Sequence, residues 1–384
     1  MNQPRVGIIG VGHAGCALAV DFESRNVKTI LWAAPGHRRV YDRVVEQGHL
    51  DATEAITGRF YPSLTQELAE VLQAARVVLV AVPSTAHDGI IDTLAQYDLS
   101  QHVVIFITGN FIASIAAARL QAKAVMTTSR APYSSRTQLN DAGDVQIRIN
   151  GIKKRLEIAR FGRPVDQRTR HHLGHLFSMP LVWYANTLQL DLSTNHGVVH
   201  PPTMLCNIGP IRRQETGLFF YRDCMTPEVC DLMLAADRER LQVAAALGFT
   251  RMESVLDMFN ADYGAQCSDL ATFVASNAQL NKRPGLPGSM LARQVSQDIP
   301  FWCVPVASLG EALGVPTPII SGWILSCSTL NKTDYRAVGR TLSSFSLPDG
   351  ASKEEILLAF RAFSDKGKDI GSLPSQGFAL SASL

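Results

Sequence analysis

The 384-residue sequence is short of several features that mark whole classes of protein. Its net charge is only +2, so it offers no basic surplus of the kind nucleic acid or an acidic membrane surface selects. Its longest apolar runs, such as Val77–Val82, are about a third of a membrane span. The seven cysteines, at 16, 206, 224, 230, 267, 303 and 327, include no Cys-x-x-Cys pair. This spacing argues for reduced, structural thiols and a cytoplasmic setting, and against zinc or any other metal. Met1–Arg5 leads straight into the first expected strand, so no signal peptide is expected. No internal repeat is apparent. A hydrophobic fraction of 46% with 18% charged residues is instead that of a globular chain with a sizeable core, and the length suits two domains.

The first part alternates between two periodicities. Arg5–Ile9, Val27–Trp32, Arg76–Val82, His102–Ile107 and Ala124–Thr128 read as strands, most of them continuously apolar and β-branched, as strands buried on both faces are. Ala14–Arg25 reads as a helix, and Val145–Ile149 and Glu157–Phe161 as later strands near the sheet edge. The pattern predicts an α/β fold, a doubly wound parallel sheet of Rossmann type. From about residue 188 the texture becomes helical. Thr226-Pro227 starts a helix that Gly248 stops, and Ile299–Leu313 and Ile319–Leu330 follow. The expected division is a dinucleotide-binding domain, 1–185, and an all-α domain, 186–384, with a Ser/Gly-rich tail from about Gly367 expected to be mobile.

Gly10, Gly12 and Gly15 form a Gly-x-Gly-x-x-Gly turn between the first strand and the first helix. Gly10 permits the tight turn, Gly12 a close approach of pyrophosphate to the backbone, and Gly15 close helix packing. His13 and Ala14 complete the turn at the helix N-terminus, whose dipole favours phosphate. The second strand lacks the terminal Asp or Glu that accepts hydrogen bonds from an NAD ribose. His37, Arg38 and Arg39 follow it instead, either as a 2′-phosphate site or as solvated loop cations. The missing acid favours NADP, with NAD left open. Pro83-Ser84, at the end of a central strand, and Thr108-Gly109-Asn110, at the end of the next, are expected to line the nicotinamide riboside. His87 is expected to cap its helix rather than act chemically. Arg130, Tyr133 and Arg136 stand equally as substrate contacts or loop residues; Arg212-Arg213 read as surface or interface, and Trp302 and Trp323 as core.

Reduction of a carbon–oxygen or carbon–nitrogen double bond needs a proton donor, commonly a histidine oriented by a carboxylate. Two segments a hundred residues apart supply candidates: Asn195-His-Gly-Val-Val-His200-Pro-Pro202 and Arg293-Gln-Val-Ser-Gln-Asp298-Ile-Pro300. Spacing alone does not pair them. Together with Phe220-Tyr221, Thr226-Pro227, Asp237-Arg-Glu-Arg240, Leu313-Gly-Val-Pro-Thr-Pro318 and Gly339-Arg-Thr-Leu342, they resemble the octopine/nopaline (opine) dehydrogenase family. The resemblance runs from the glycine turn to about residue 347. It implies reductive condensation of an amino acid, or other amine, with an α-keto acid through an imine, using NADH or NADPH. It makes His200 the catalytic histidine, Asp298 its orienting carboxylate, and Arg293 and Asn195 substrate contacts, with His196 in support. Two departures stand out. His13 occupies a place where many relatives have Asn, and Gln297 one where they often have Glu. A ketopantoate reductase-like enzyme and a non-catalytic NADPH sensor are the alternatives. Helical second domains of this kind often pair, which leaves a homodimer open beside a monomer.

Overall fold

A computed structural model describes residues 5–140 and 142–362; the expected tail from Gly367 lies outside them. The strands are β1 (Arg5–Ile9), β2 (Lys28–Trp32), β3 (Leu50–Glu54), β4 (Gly58–Phe60), β5 (Ser63–Thr65), β6 (Ala75–Val80), β7 (Val103–Phe106), β8 (Ala124–Thr128), β9 (Tyr133–Leu139), β10 (Val145–Ile152), β11 (Leu156–Arg160) and β12 (Leu181–Trp183). Eight of them form one sheet in the order β12-β11-β8-β7-β6-β1-β2-β5. All neighbours run parallel except β11, which is antiparallel to β8. The central strands are continuously apolar because helices cover both faces, as in a doubly wound fold.

The remaining four strands make a second sheet, β4-β3-β10-β9. Val145–Ile149 therefore belongs to this small sheet and not to the edge of the large one. Its alternation explains the placement: Val145, Ile147 and Ile149 are buried against the first helix, while Gln146 and Arg148 face outward half-exposed. A strand with one solvated face alternates in this way.

From Leu188 onward the described chain is helical, and one apolar core runs through this part to Phe360. The long helix Pro227–Leu247 begins with the Thr226 hydroxyl accepting from the Val229 N–H and ends at Gly248, φ 91°. Ile299–Leu313 divides into a π-helical turn, Ile299–Cys303, and an α-helix, Val304–Leu313. Trp302 and Trp323 are core residues, as expected. No helix among the described residues is long and apolar enough to cross a membrane.

The two parts are joined by buried charge. The Ser129 hydroxyl donates to Glu157 (2.7 Å), which also pairs with Arg130 (3.2 Å) and Arg155 (2.8 Å). Arg130 and Arg155 continue to Asp262 and Glu253 in the helical part. Burial opposes the Glu157 charge, but Arg130, Ser129 and Arg155 outweigh it and hold its pKa below the usual range. Arg130 thus spans the junction, and the Tyr133 hydroxyl donates to buried Asp21 (2.7 Å) of the first helix.

Candidate active site

The glycine turn shows three separate reasons for its glycines. Gly10 has φ 116°, and a Cβ there would lie 2.6 Å from the Ala81 carbonyl oxygen. A Cβ on Gly15 would lie 1.8 Å from the Gly10 carbonyl oxygen, so the first helix, His13–Ser24, could not seat on the turn. At Gly12 a Cβ would meet no protein atom within 4 Å. Packing does not demand glycine there; bare backbone facing the adjacent cavity does.

That cavity has a volume of about 760 Å³. Its lining includes Gly12, His13 and Ala14 of the turn, Pro83, Ser84 and Thr108 after the central strands, and Arg293 and Gln297 of the helical part. Strand β9 closes over the turn: the Thr137 N–H donates to His13 Nδ1 (2.9 Å), and the Ser135 hydroxyl donates to the His13 carbonyl (3.0 Å). With Nδ1 obliged to accept, neutral His13 carries its proton on Nε2. Burial, then Arg136 and Arg293, lower its pKa and keep it neutral.

The three cations after β2 separate. Arg39 lines the cavity, joined by Arg43 one helical turn on. Arg38 turns instead to Asp42 (2.9 Å), and His37 is exposed outside the lining. Asn110 also stands back from the cavity. It is buried behind Ser84, to whose hydroxyl its Nδ2 donates (2.8 Å). The His87 ring makes no cap. It is buried edge-on against Phe106, 5.2 Å between centroids, with Nδ1 3.4 Å from Arg340. Burial, then Arg340, push its pKa well down.

The two segments a hundred residues apart meet. His200 Nδ1 lies 2.6 Å from Asp298 Oδ2. His200 rides on the helix His196–Cys206, and this helix crosses the π-turn at Gly197, where a Cβ would come within 1.8 Å of the Trp302 ring. Pro201 removes the N–H that would bond the Gly197 carbonyl, and the Cys303 thiol donates to it instead (3.5 Å). The crossing thus fixes the histidine helix on the turn that follows Asp298, an irregularity often found at functional sites. Burial disfavours charge on Asp298, but His196, His200 and Arg293 outweigh it and hold its pKa below the usual range. An ionised acceptor at Nδ1 leaves Nε2 as the nitrogen that exchanges protons. Neighbouring His196 is held neutral, its pKa pushed down to about 4 by burial against the opposing pull of Asp298. Asn195 precedes the histidine helix half-buried and does not cap it. Phe220 packs 6.1 Å from the His200 ring, and Arg213 pairs with Glu215 at the surface (2.6 Å).

The short helix Arg293–Ser296 joins the two features. Arg293 and Gln297 face the cavity, and the next residue, Asp298, holds His200. Gln297 also accepts from the Ser84 N–H (3.1 Å), a contact the sequence did not announce.

Residues 183–331 match the family described as NAD/NADP octopine/nopaline dehydrogenase, alpha-helical domain. Residues 5–109 match one described as NADP oxidoreductase, coenzyme F420-dependent. The chain is 27% identical to a vitopine synthase of Allorhizobium ampelinum over 352 residues, covering 89% of this chain and 95% of that protein. It is 26% identical to a D-nopaline dehydrogenase of Agrobacterium tumefaciens, covering 83% and 84%. Among solved structures, an octopine dehydrogenase with NADH and L-arginine superposes with a TM-score of 0.72 at 16% identity, over 92% of this chain and 98% of that one. The enzyme is an NAD(P)-dependent oxidoreductase acting on a CH–NH bond; its residues 183–331 match the helical domain of octopine/nopaline dehydrogenases, and most of its length is similar to opine dehydrogenases.

Proposed function

We propose that this enzyme condenses an amino acid, or another amine, with an α-keto acid and reduces the resulting imine with a preference for NADPH. The observation that carries the reading is the single step from Gln297 to Asp298. It sets a histidine paired with a carboxylate directly behind the wall of a cavity lined by the glycine turn.

The residues divide the work. Gly10 and Gly15 shape the turn, and Gly12, His13 and Ala14 offer backbone and an Nε2–H to the pyrophosphate. Arg39 and Arg43 hold the 2′-phosphate, a task for which the orientation of Arg38 toward Asp42 is unsuited. Pro83, Ser84 and Thr108 floor the nicotinamide end, with Asn110 holding Ser84 from behind. A nicotinamide dinucleotide, when bound, supplies the hydride. Arg293 holds the keto-acid carboxylate through its planar fork, and Asn195, at the start of the helix that carries His200, is assigned a supporting substrate contact. His200 Nε2 takes and returns the proton as the amine condenses and the imine is reduced, and Asp298 stabilises the imidazolium.

The test is whether NADPH consumption with pyruvate, glyoxylate, oxaloacetate or 2-oxoglutarate requires an added amine, with products read by mass spectrometry. Amine-dependent consumption is expected. Equal consumption without amine would instead support a ketopantoate reductase-like ketone reduction, and NADPH binding without turnover a sensor. The same reading sets the enzyme in the cytoplasm, as its seven free thiols suggest, and pairs it through the helical part. Sedimentation at a single dimer mass is the expected result; a monomer mass throughout would remove the pairing.

A further inference from the structure

The turn after β7 is strained. Asn110 and Phe111 both adopt left-handed backbone, φ 52° and 61°, which a phenylalanine adopts only when its surroundings impose it. The surroundings here belong to the helical part. The Phe111 side chain is fully buried in the helical core, its ring 6.4 Å from Phe345. Asp191, also buried, packs against the same loop: its Oδ1 would lie 3.1 Å from a Cβ at Gly109, and the neighbouring Asn110 and Phe111 N–H groups partly offset the burial that raises its pKa. Arg340, only 3% exposed, donates to the Asn110 carbonyl, and its guanidinium lies over the Phe301 ring at 4.7 Å.

Arg340 also grips the other side of the site. Its own N–H donates to the Pro300 carbonyl (3.0 Å), two residues beyond Asp298. The preceding Gly339 fits so closely that a Cβ would lie 2.7 Å from that same carbonyl oxygen. One residue therefore touches, by its backbone, the π-turn behind the dyad and, by its side chain, the strained loop behind Ser84. From Asn110 the contacts run through the Ser84 hydroxyl, and the Ser84 N–H returns to Gln297 beside Asp298, closing a ring.

We propose that Arg340, with Asp191, is a positioning residue: it sets the distance between the nicotinamide floor at Ser84 and the His200–Asp298 dyad. Neither residue lines the cavity or touches the dyad. Both act through Asn110 and the π-turn. A buried arginine serves because its fork reaches the loop carbonyl while its flat face packs on Phe301. Hydride transfer depends steeply on the approach of the reacting atoms, so a slip of an ångström is felt as rate rather than as affinity. The proposal rests on the cofactor and dyad assignments made above.

The test compares Arg340→Met, Arg340→Lys and Asp191→Asn with the parent enzyme. NADPH affinity and the number of NADPH-binding sites are measured by fluorescence titration, and turnover is expressed per NADPH-binding site. For Arg340→Met we expect turnover per site to fall by about 10- to 100-fold while the NADPH Kd and the amine KM change by less than about threefold. Arg340→Lys keeps the charge but loses the fork, and an intermediate loss is expected. Asp191→Asn, isosteric and able to satisfy only part of the loop, carries the test if Arg340→Met does not fold, with a loss in the same direction. Turnover per site within about threefold of the parent in the folded variants would overturn the proposal, as would a loss expressed wholly in NADPH affinity. A failed dyad assignment shows separately, as unchanged turnover in Asp298→Asn.

Discussion

Replacing Asp298 by Asn tests the proton-handling half of the site with little change of shape. The carboxylate is 2% exposed and sits 2.6 Å from His200 Nδ1. When His200 takes a proton, the imidazolium and the carboxylate have charge centres roughly 4 Å apart, which at an effective dielectric of about 20 is worth about 4 kcal/mol. At 1.36 kcal/mol per decade, removing that charge slows a step that builds the imidazolium by about 10³-fold. The amide also offers an N–H to Nδ1, which favours the wrong imidazole tautomer and adds to the loss. NADPH affinity should change little, because neither His200 nor Asp298 lines the cavity. The assay is steady-state NADPH consumption with amine and keto acid saturating, beside an NADPH titration. A kcat within about threefold of the parent would refute the reasoning, since charge stabilisation of that size has no way to vanish from a rate-limiting proton transfer. A loss expressed only as weaker NADPH binding would refute it equally.

Three further outcomes follow from separate parts of the structure. Arg39→Ala with Arg43→Ala should raise the NADPH Kd by about 10- to 100-fold, at about 1.5–3 kcal/mol for charge-assisted bonding, and leave NADH binding nearly unchanged; equal losses for both cofactors would remove the 2′-phosphate assignment. Gly197→Ala sets a Cβ against the Trp302 ring and should lower the melting temperature and reduce kcat by about 10²-fold, with NADPH still bound; parent-like turnover would show that the helix crossing does not set the dyad. His196 is neutral in the fold down to about pH 4, whereas in the unfolded chain it protonates at its ordinary 6.5. Its contribution is therefore full above about pH 6.5 and drains as pH falls toward 4, by about 3 kcal/mol in all. His196→Gln should flatten urea-unfolding stability across that interval, and an unchanged pH slope would contradict it.

How far the sequence discloses this site depends on how local each constraint is. The glycine turn was legible because its three glycines answer to contacts within one strand–turn–helix unit. The buried parallel strands were legible because burial on both faces leaves an unbroken apolar run. The small sheet was missed, although the alternation of Val145, Ile147 and Ile149 with Gln146 and Arg148 is the signal for one solvated face. Arg43 was missed too, yet it lies four residues after Arg39 and hence on the same side of the helix. The pairing of His200 with Asp298 belongs to another category. The two are 98 residues apart, and no periodicity connects them; only the family resemblance brought them together in the reading. Arg340 entered only as part of the Gly339-Arg-Thr-Leu342 motif and Asp191 not at all, because what gives them a role is a strained loop eighty residues or more from either.

The same distinction explains why cofactor and proton chemistry sit so close together. A dinucleotide cavity framed by the sheet alone would leave the reacting carbon far from any acid or base of the helical part. The chain closes that gap with one short helix and a π-turn, Arg293 to Cys303. Arg293 and Gln297, four residues apart, face the cavity from one side of that helix. Asp298 follows at the mouth of the π-turn, Ile299–Cys303, and there its carboxylate meets His200. A regular α-helix through Pro300 would require bonds that proline cannot donate, so the irregularity is written into the sequence as Asp298-Ile-Pro300. Changing Pro300 to Ala restores a donor and allows the regular winding. The expected result is a protein of equal or greater thermal stability whose kcat falls while NADPH binding persists. If kcat were retained in a variant shown by structure to have lost the π-turn, the placement of Asp298 would have to come from the Gly197–Trp302 crossing alone.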